Sequence, residues 1–212
     1  MSEPRNPTIS SRKRPKQARS NDLVAAILQA AAQVLAKEGA HHFTTARVAE
    51  KAGVSVGSLY QYFPNKAAIL FRLQSDEWSQ TTDLLRDILQ NKAHPPLQRL
   101  RLLVHAFIRS ECEEATMRVA LNDAAPLYRD APEAKEVRAS GVRTMQQFIK
   151  EVLPQATPAT RKLAADLVNI TLSAVGKEFS ESPRTSAQID DYADALADML
   201  CAYLRTLKRR PA

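Results

Sequence analysis

The chain has 212 residues, 44% of them hydrophobic and 25% charged, with a formal net charge of +7 and only 5 glycines. That size accommodates one large domain or two small ones. Long Ala- and Leu-rich segments disfavour a β-sandwich, and no apolar run reaches the roughly 18 residues needed to span a bilayer.

Residues 1–19 carry Arg5, Arg12, Lys13, Arg14, Lys16 and Arg19 against Glu3 alone, so +5 of the excess sits in a Pro- and Ser-containing segment. Such a composition reads as a mobile arm drawn to polyanions, or as a plain solvated terminus. Arg12, Lys13 and Arg14 are its candidates for reaching DNA. The segment lacks the apolar stretch of a secretory signal. Cys112 and Cys201 match no metal or redox spacing. The expectation is a cytoplasmic protein with reduced thiols and no metal or cofactor.

Val24, Ile27, Leu28, Ala31, Val34 and Leu35 recur every three or four residues, one apolar face of a helix over about 22–38. Ser20, Asn21 or Asp22 can cap its start, and Gly39 ends it. Thr44 or Thr45 caps a second helix with Val48, Ala49 and Ala52 inward, broken at Gly53. Ser55 caps a third helix with Leu59 and Phe63 on its buried side. Pro64 stops it, because the residue before a proline is pushed out of the α region. Asn65 opens a fourth helix that runs to about Gln90, close to 40 Å at ~1.5 Å per residue.

Beyond His94-Pro95-Pro96 a fifth helix shows Leu97, Leu100, Leu103, Val104, Phe107 and Ile108. A shorter one follows near Ala115 to Asn122, then a loop or broken turn over 123–131. Pro132 suits the first turn of a seventh helix, ending near Leu153. An eighth carries Leu163, Leu167, Ile170 and Ala174, and a polar linker at 180–187 leads to a ninth with Tyr192, Leu196, Met199 and Tyr203. No strand alternation and no repeat is evident. The class is all-α: an N-terminal three-helix unit and a larger C-terminal bundle, about nine helices in all.

Two short helices joined by Ala52-Gly53-Val54-Ser55 fit a helix-turn-helix. In such a unit the second helix enters the major groove with its N-terminal residues near base edges. Here these are Ser55, Val56, Gly57 and Ser58, small enough for the backbone to come close. Val56 suits a thymine methyl, and Ser58 can hydrogen-bond to several bases. Tyr60 and Tyr62 suit sugar and phosphate. Lys66 adds charge to the free amides of a helix start, as Thr44, Thr45 and Arg47 do at the second helix. From spacing alone, the tyrosines read equally well as half-buried core aromatics and Lys66 as an ordinary exposed charge.

The segment Phe43 to Leu70, FTTARVAEKAGVSVGSLYQYFPNKAAIL, closely resembles the DNA-binding domain of TetR-family transcriptional regulators. The Lys-Glu-Gly ending of the first helix agrees. The resemblance covers about residues 20–70, and beyond it rests on length and helix order. It implies an Ω-like dimer whose last two helices form a four-helix bundle with their mates, and a ligand pocket within helices 4–8. Carried onto matching positions, it implies that Val56, Gly57 and Ser58 face bases while Thr45, Tyr60, Tyr62 and Lys66 grip the backbone. Gln61 falls where the family varies and can read adenine or touch phosphate. Ala46 is too short to reach a base, which leaves Arg47 as the nearby long donor.

The expected organisation is an arm over 1–19, a helix-turn-helix domain over 20–66 and a ligand-binding and dimerisation domain over 67–212. Leu163, Leu167, Ile170 and Ala174 of the eighth helix, with Tyr192, Leu196, Met199 and Tyr203 of the ninth, have the spacing of an antiparallel bundle seam and are the candidate homodimer interface. Dimerisation also follows from recognition: one short helix meets few base pairs, whereas two related by a dyad about 34–36 Å apart read a palindromic operator. A small-molecule effector that favours one body conformation then shifts the spacing of the two reading heads through the fourth helix. Candidates for its pocket are Trp78, His105, Phe107, Arg109, Met117, Asn122, Tyr128, Met145 and Phe148, most of which read more readily as plain core or surface residues, His105 as a satisfied core histidine.

The enzyme reading finds no phosphate loop, nucleophile elbow or metal-ligand pair. A ligand-independent DNA-binding adaptor or architectural protein of the same fold is the alternative, and operator selectivity separates it from a sensor.

Overall fold

The computed structural model describes Ile9, residues 18–128 and residues 132–209, with side-chain surroundings given for Ile9, 20–128 and 141–209. Nine α-helices are described: α1 (Ala18–His42), α2 (Thr45–Ala52), α3 (Val56–Tyr62), α4 (Lys66–Gln90), α5 (Pro96–Glu113), α6 (Ala115–Ala124), α7 (Pro132–Val152), α8 (Pro158–Ser180) and α9 (Ser186–Arg209). A single 3-10 turn, Ala125–Leu127, forms where Pro126 interrupts the chain. Among the described residues there is no strand. Arg12, Lys13 and Arg14 of the basic arm lie outside the described residues.

The chain divides into two compact units. One takes the residues up to Trp78 together with Thr116–Val137, and the other takes Ser79–Ala115 with Arg138 onward. The first is built around Ile27, Ala31, Leu35, Phe43, Val48, Leu59 and Phe63, joined by Ala68 to Leu70 from the start of α4 and by Leu121 and Tyr128. Full burial of each such Ile, Leu or Phe contributes roughly 1.5–3 kcal/mol. Ile9, within the segment read as an arm, is buried in this core.

The start of α1 differs from expectation. Ser20, Asn21 and Asp22 lie inside the helix, which begins at Ala18. Its other end is as the glycine dictates: Gly39 has φ 72° and ψ 173°, a break in the helical path before His41 and His42. By length and mean hydropathy the stretch Ser20–His42 is enough to cross a membrane, a feature the reading for apolar runs missed because Gln, Asn and Lys interrupt it. In the fold, its Ile27, Ala31, Val34 and Leu35 are core residues.

In the second unit α5 packs on α8 and α9. Leu100, Leu103, Val104 and Ile108 of α5 meet Phe148 and Ile149 of α7, Ala164, Ala165, Val168 and Leu172 of α8, and Leu200 and Leu204 of α9 in one core. At Gly176 α8 approaches α5 closely: a Cβ there would sit 2.7 Å from Phe107 Cε1 and 3.0 Å from Glu111 Cγ. Arg99 is buried to 1% exposure in this unit. It donates to the Leu89 carbonyl at the end of α4 and pairs with Glu151 of α7, which also binds Lys92. Hydrogen bonds from Arg99 and then Lys92 hold the Glu151 carboxyl below the usual carboxylate range. On the unit's surface, Arg101, His105 and Arg109 of α5 face Asp198, Asp194 and Asp190 of α9 in a row of ion pairs.

Candidate nucleic-acid interface

The turn between α2 and α3 is built by three local devices. Thr44, in extended conformation, accepts the Arg47 N–H on its Oγ1 at 3.3 Å and so caps α2. Gly53 adopts φ 67°, which lets its own N–H bond back to Glu50 O at 3.1 Å and that of Val54 to Ala49 O at 3.0 Å. Ser55 then caps α3, accepting the Ser58 N–H at 3.0 Å. A fourth cap follows past Pro64, where Asn65 Oδ1 accepts the Ala68 N–H at 2.9 Å and α4 starts at Lys66.

These caps expose one face. Thr44, Arg47, Ser55, Val56, Gly57, Tyr60 and Gln61 are exposed, while Thr45, Ser58 and Lys66 are half-buried. At Gly57 a Cβ would meet nothing nearer than Ser55 Oγ at 3.8 Å, so the glycine is not required by packing inside the subunit. Two helices are tied across this face by Tyr60 Oη and Thr45 Oγ1, 3.1 Å apart. Ser55 and Ser58 share a hydroxyl contact at 2.8 Å. Lys66 makes no ion pair among the described residues. Arg47, in contrast, is paired through Nη1 with Glu38 on the last turn of α1 before the Gly39 break.

Tyr62 is placed differently from its neighbour Tyr60. Only 6% of it is exposed, and it belongs to the first core. Lying three residues beyond Leu59 and next to Phe63, it falls on the inner side of α3. Whatever it offers to a partner is confined to that small exposed fraction.

The nine pocket candidates divide between the two units. Trp78, Met117 and Tyr128 belong to or pack on the first core, where the Tyr128 hydroxyl donates to Leu121 O at 3.1 Å and lies 3.3 Å from Gln74 Oε1. Phe107, Met145 and Phe148 are buried in the second core. His105 and Arg109 are held by Asp194 and Asp190 in the surface row, and Asn122 is exposed. A cavity of about 240 Å³ in the second unit is lined instead by Pro95, Pro96, Leu97, Val152, Leu204 and Arg205, among others.

The candidate interface residues of α8 and α9 separate into two groups. Leu163, Leu167, Ile170 and Ala174 are all exposed, at 63%, 43% and 66% for the three large ones. They form one stripe on the side of α8 opposite its buried Ala164, Ala165, Val168 and Leu172. On α9, Tyr192 and Met199 are exposed, with the Tyr192 ring stacked on Phe179 at 3.9 Å. Leu196 is buried at 5% in the subunit's own core, which its neighbours Ala193, Ala197 and Leu200 also occupy. Tyr203 is half-buried against the same core.

The family model for bacterial regulatory proteins of the tetR family matches residues 27–73, and that for the tetracyclin repressor-like C-terminal domain matches residues 95–207. Among named proteins, the chain is 34% identical over 67 residues to the fatty acid metabolism regulator protein of Bacillus subtilis (strain 168), covering 32% of this chain and 34% of that one. It is 28% identical over 141 residues to the HTH-type transcriptional repressor KstR of Rhodococcus jostii (strain RHA1), covering 65% and 63%. The chain thus spans about a third and under two thirds of these two relatives' lengths. Among solved structures, the fatty acid degradation regulator FadR from Bacillus halodurans superposes with a TM-score of 0.67 at 20% identity, over 91% of this chain and 99% of that one. At that identity the likeness shows the fold alone.

Proposed function

Because the chain belongs to the TetR family of transcriptional regulators, we propose that it is a repressor that binds a palindromic operator as a homodimer in the cytoplasm and leaves it when a small molecule binds. Residues 20–66 read DNA and residues 67–212 supply the dimer contact and the effector site. The observation that carries this reading is the exposed start of α3. Ser55, Val56 and Gly57 are exposed, a Cβ at Gly57 would meet nothing nearer than Ser55 Oγ at 3.8 Å, and Thr44, Tyr60 and Lys66 are at least partly exposed on the adjoining elements. Small side chains admit the backbone to base edges, while the flanking hydroxyls and the cation suit phosphates on either side.

The homodimer is supported by the exposed stripe Leu163, Leu167 and Ile170 with Met199 on α9. A run of large apolar side chains on adjacent turns of one helix is a surface that association with a second copy would cover. Leu196 contributes from beneath as part of the core that supports the face.

Release by an effector requires a ligand that favours one conformation of the body. The test has two parts. Mapping the bound sites across the genome is expected to place the protein at a few promoter-proximal palindromes. A thermal-shift screen against metabolites related to the neighbouring genes is expected to find a compound that raises the midpoint and dissociates the DNA complex. A compound that stabilises the protein without releasing DNA would contradict the proposed sense of the switch, and uniform genomic occupancy would contradict the operator.

A further inference from the structure

Arg47 is one of two long cationic side chains placed at the start of a helix on the proposed DNA face, the other being Lys66. Lys66 has no ion-pair partner among the described residues, but Arg47 is already held by the Glu38 carboxylate. The Arg47 side chain is 49% exposed and that of Glu38 29%, so the pair lies at the surface rather than in the core. Its two members come from the turn of α1 that precedes the Gly39 break and from the first turn of α2, beside the Thr44 cap.

A carboxylate and a phosphate offer the same kind of acceptor to a guanidinium fork. The two compete for Arg47. An exposed pair of this kind is weak, so a phosphate in the right place can displace the carboxylate. A phosphate out of reach cannot, and Arg47 then stays neutralised and adds nothing to the counterion release that drives non-specific binding. Building an unfavourable element against wrong partners is a recognised route to specificity.

We infer that Glu38 is a specificity-determining residue: an internal phosphate substitute that withholds Arg47 from DNA except in the register where the backbone takes its place. This rests on the proposed DNA-binding face. It identifies a residue outside the helix-turn-helix itself, whose effect on binding is opposite in sign to that of the contact residues.

The experiment compares the wild type, Glu38→Gln, Arg47→Ala and the double variant by fluorescence anisotropy over a salt series. The probes are a random-sequence duplex and a palindrome selected by the wild-type protein from a random library. Glu38→Gln is expected to tighten binding to the random duplex about threefold to tenfold at low salt, and to steepen its salt slope by roughly 0.9 per subunit, the value of one added phosphate contact. On the palindrome the slope is expected to stay as in wild type, because Arg47 is already engaged there, so the preference for the palindrome falls. In the Arg47→Ala background, Glu38→Gln is expected to leave the random-duplex slope unchanged. Equal slopes for wild type and Glu38→Gln on the random duplex would overturn the inference, as would a steepening that persists without Arg47. Glu38→Ala should repeat the direction of Glu38→Gln, and thermal melts of all variants report whether each is folded. Lys66→Ala is the control for the underlying reading. If it weakens binding while Glu38→Gln behaves as wild type, only the role of Glu38 fails. If Lys66→Ala also changes nothing on either duplex, the DNA face itself is wrong.

Discussion

The face formed by α2, α3 and the start of α4 and the outer face of α8 and α9 both leave side chains in water, but their chemistry differs. The first exposes Thr44, Ser55, Gly57, Gln61 and the cation Arg47, with Lys66 half-buried beside them; the second exposes Leu163, Leu167, Ile170 and Met199. Neither set is needed to fill the core beneath it. A small, polar, cationic surface is suited to a wet, negatively charged partner. An exposed apolar stripe such as that of α8 is suited to a dry contact with something like itself. An exposed face indicates the kind of partner by what it would cost to leave it uncovered. The contrast extends to conditions: the first contact should weaken steeply with salt, and the second hardly at all.

The largest effect is expected from placing a charge in the apolar stripe. Ile170→Glu should leave the subunit folded, since that side chain is already exposed. It should convert the protein to a monomer in sedimentation equilibrium and lower affinity for the palindrome about 100-fold or more, as losing an interface hot spot does. A variant that stays dimeric would remove the stripe from the interface. Gly176→Ala tests the opposite side of the same helix. The added methyl meets Phe107 and Glu111 below contact distance, so the melting midpoint should fall, by the equivalent of about 1–3 kcal/mol. No loss of stability would mean that α8 can shift away from α5 freely.

Smaller changes are expected on the polar face. Lys66→Ala should weaken binding to every duplex about threefold to tenfold and flatten the salt slope by roughly 0.9 per subunit. An unchanged slope would take Lys66 off the phosphate-contacting set. Gly57→Ala separates folding from recognition. With only an ordinary contact to Ser55 Oγ at 3.8 Å for the new Cβ, an alanine inside α3 should raise stability by about 0.5–1 kcal/mol. The same methyl stands where the backbone is to approach the bases, so operator affinity should drop. If stability and affinity rise together, α3 does not enter the groove at its Gly57 turn.

Much of this was legible in the residues because the signals are local. Gly53, Ser55, Pro64 and Asn65 each act within four positions of themselves, and the breaks and caps fall where their chemistry places them. The length of α4 followed from apolar positions that recur from Ile69 to Leu89 with no Gly or Pro between Asn65 and Gln90. Two placements were available from spacing and needed more weight. Tyr62 lies three residues past Leu59 and therefore turns inward, while Tyr60 turns out. Leu196 sits among Ala193, Ala197 and Leu200, so it belongs to the inner side of α9. The Glu38–Arg47 pair was not legible, because it joins side chains nine positions apart across the break at Gly39. The pocket candidates were not separable from core residues for a similar reason. An aromatic or Met on an amphipathic helix has the same pattern whether it lines a cavity or fills a core, and only the packing of the other helices separates the two.

The most direct test is selection of duplexes from a random library by the purified full chain, with the recovered sequences read for symmetry. Enrichment of one palindrome whose half-sites are centred about one helical turn apart is expected. Recovery of unsymmetrical sites, or no enrichment over the starting pool, would contradict recognition by a homodimer.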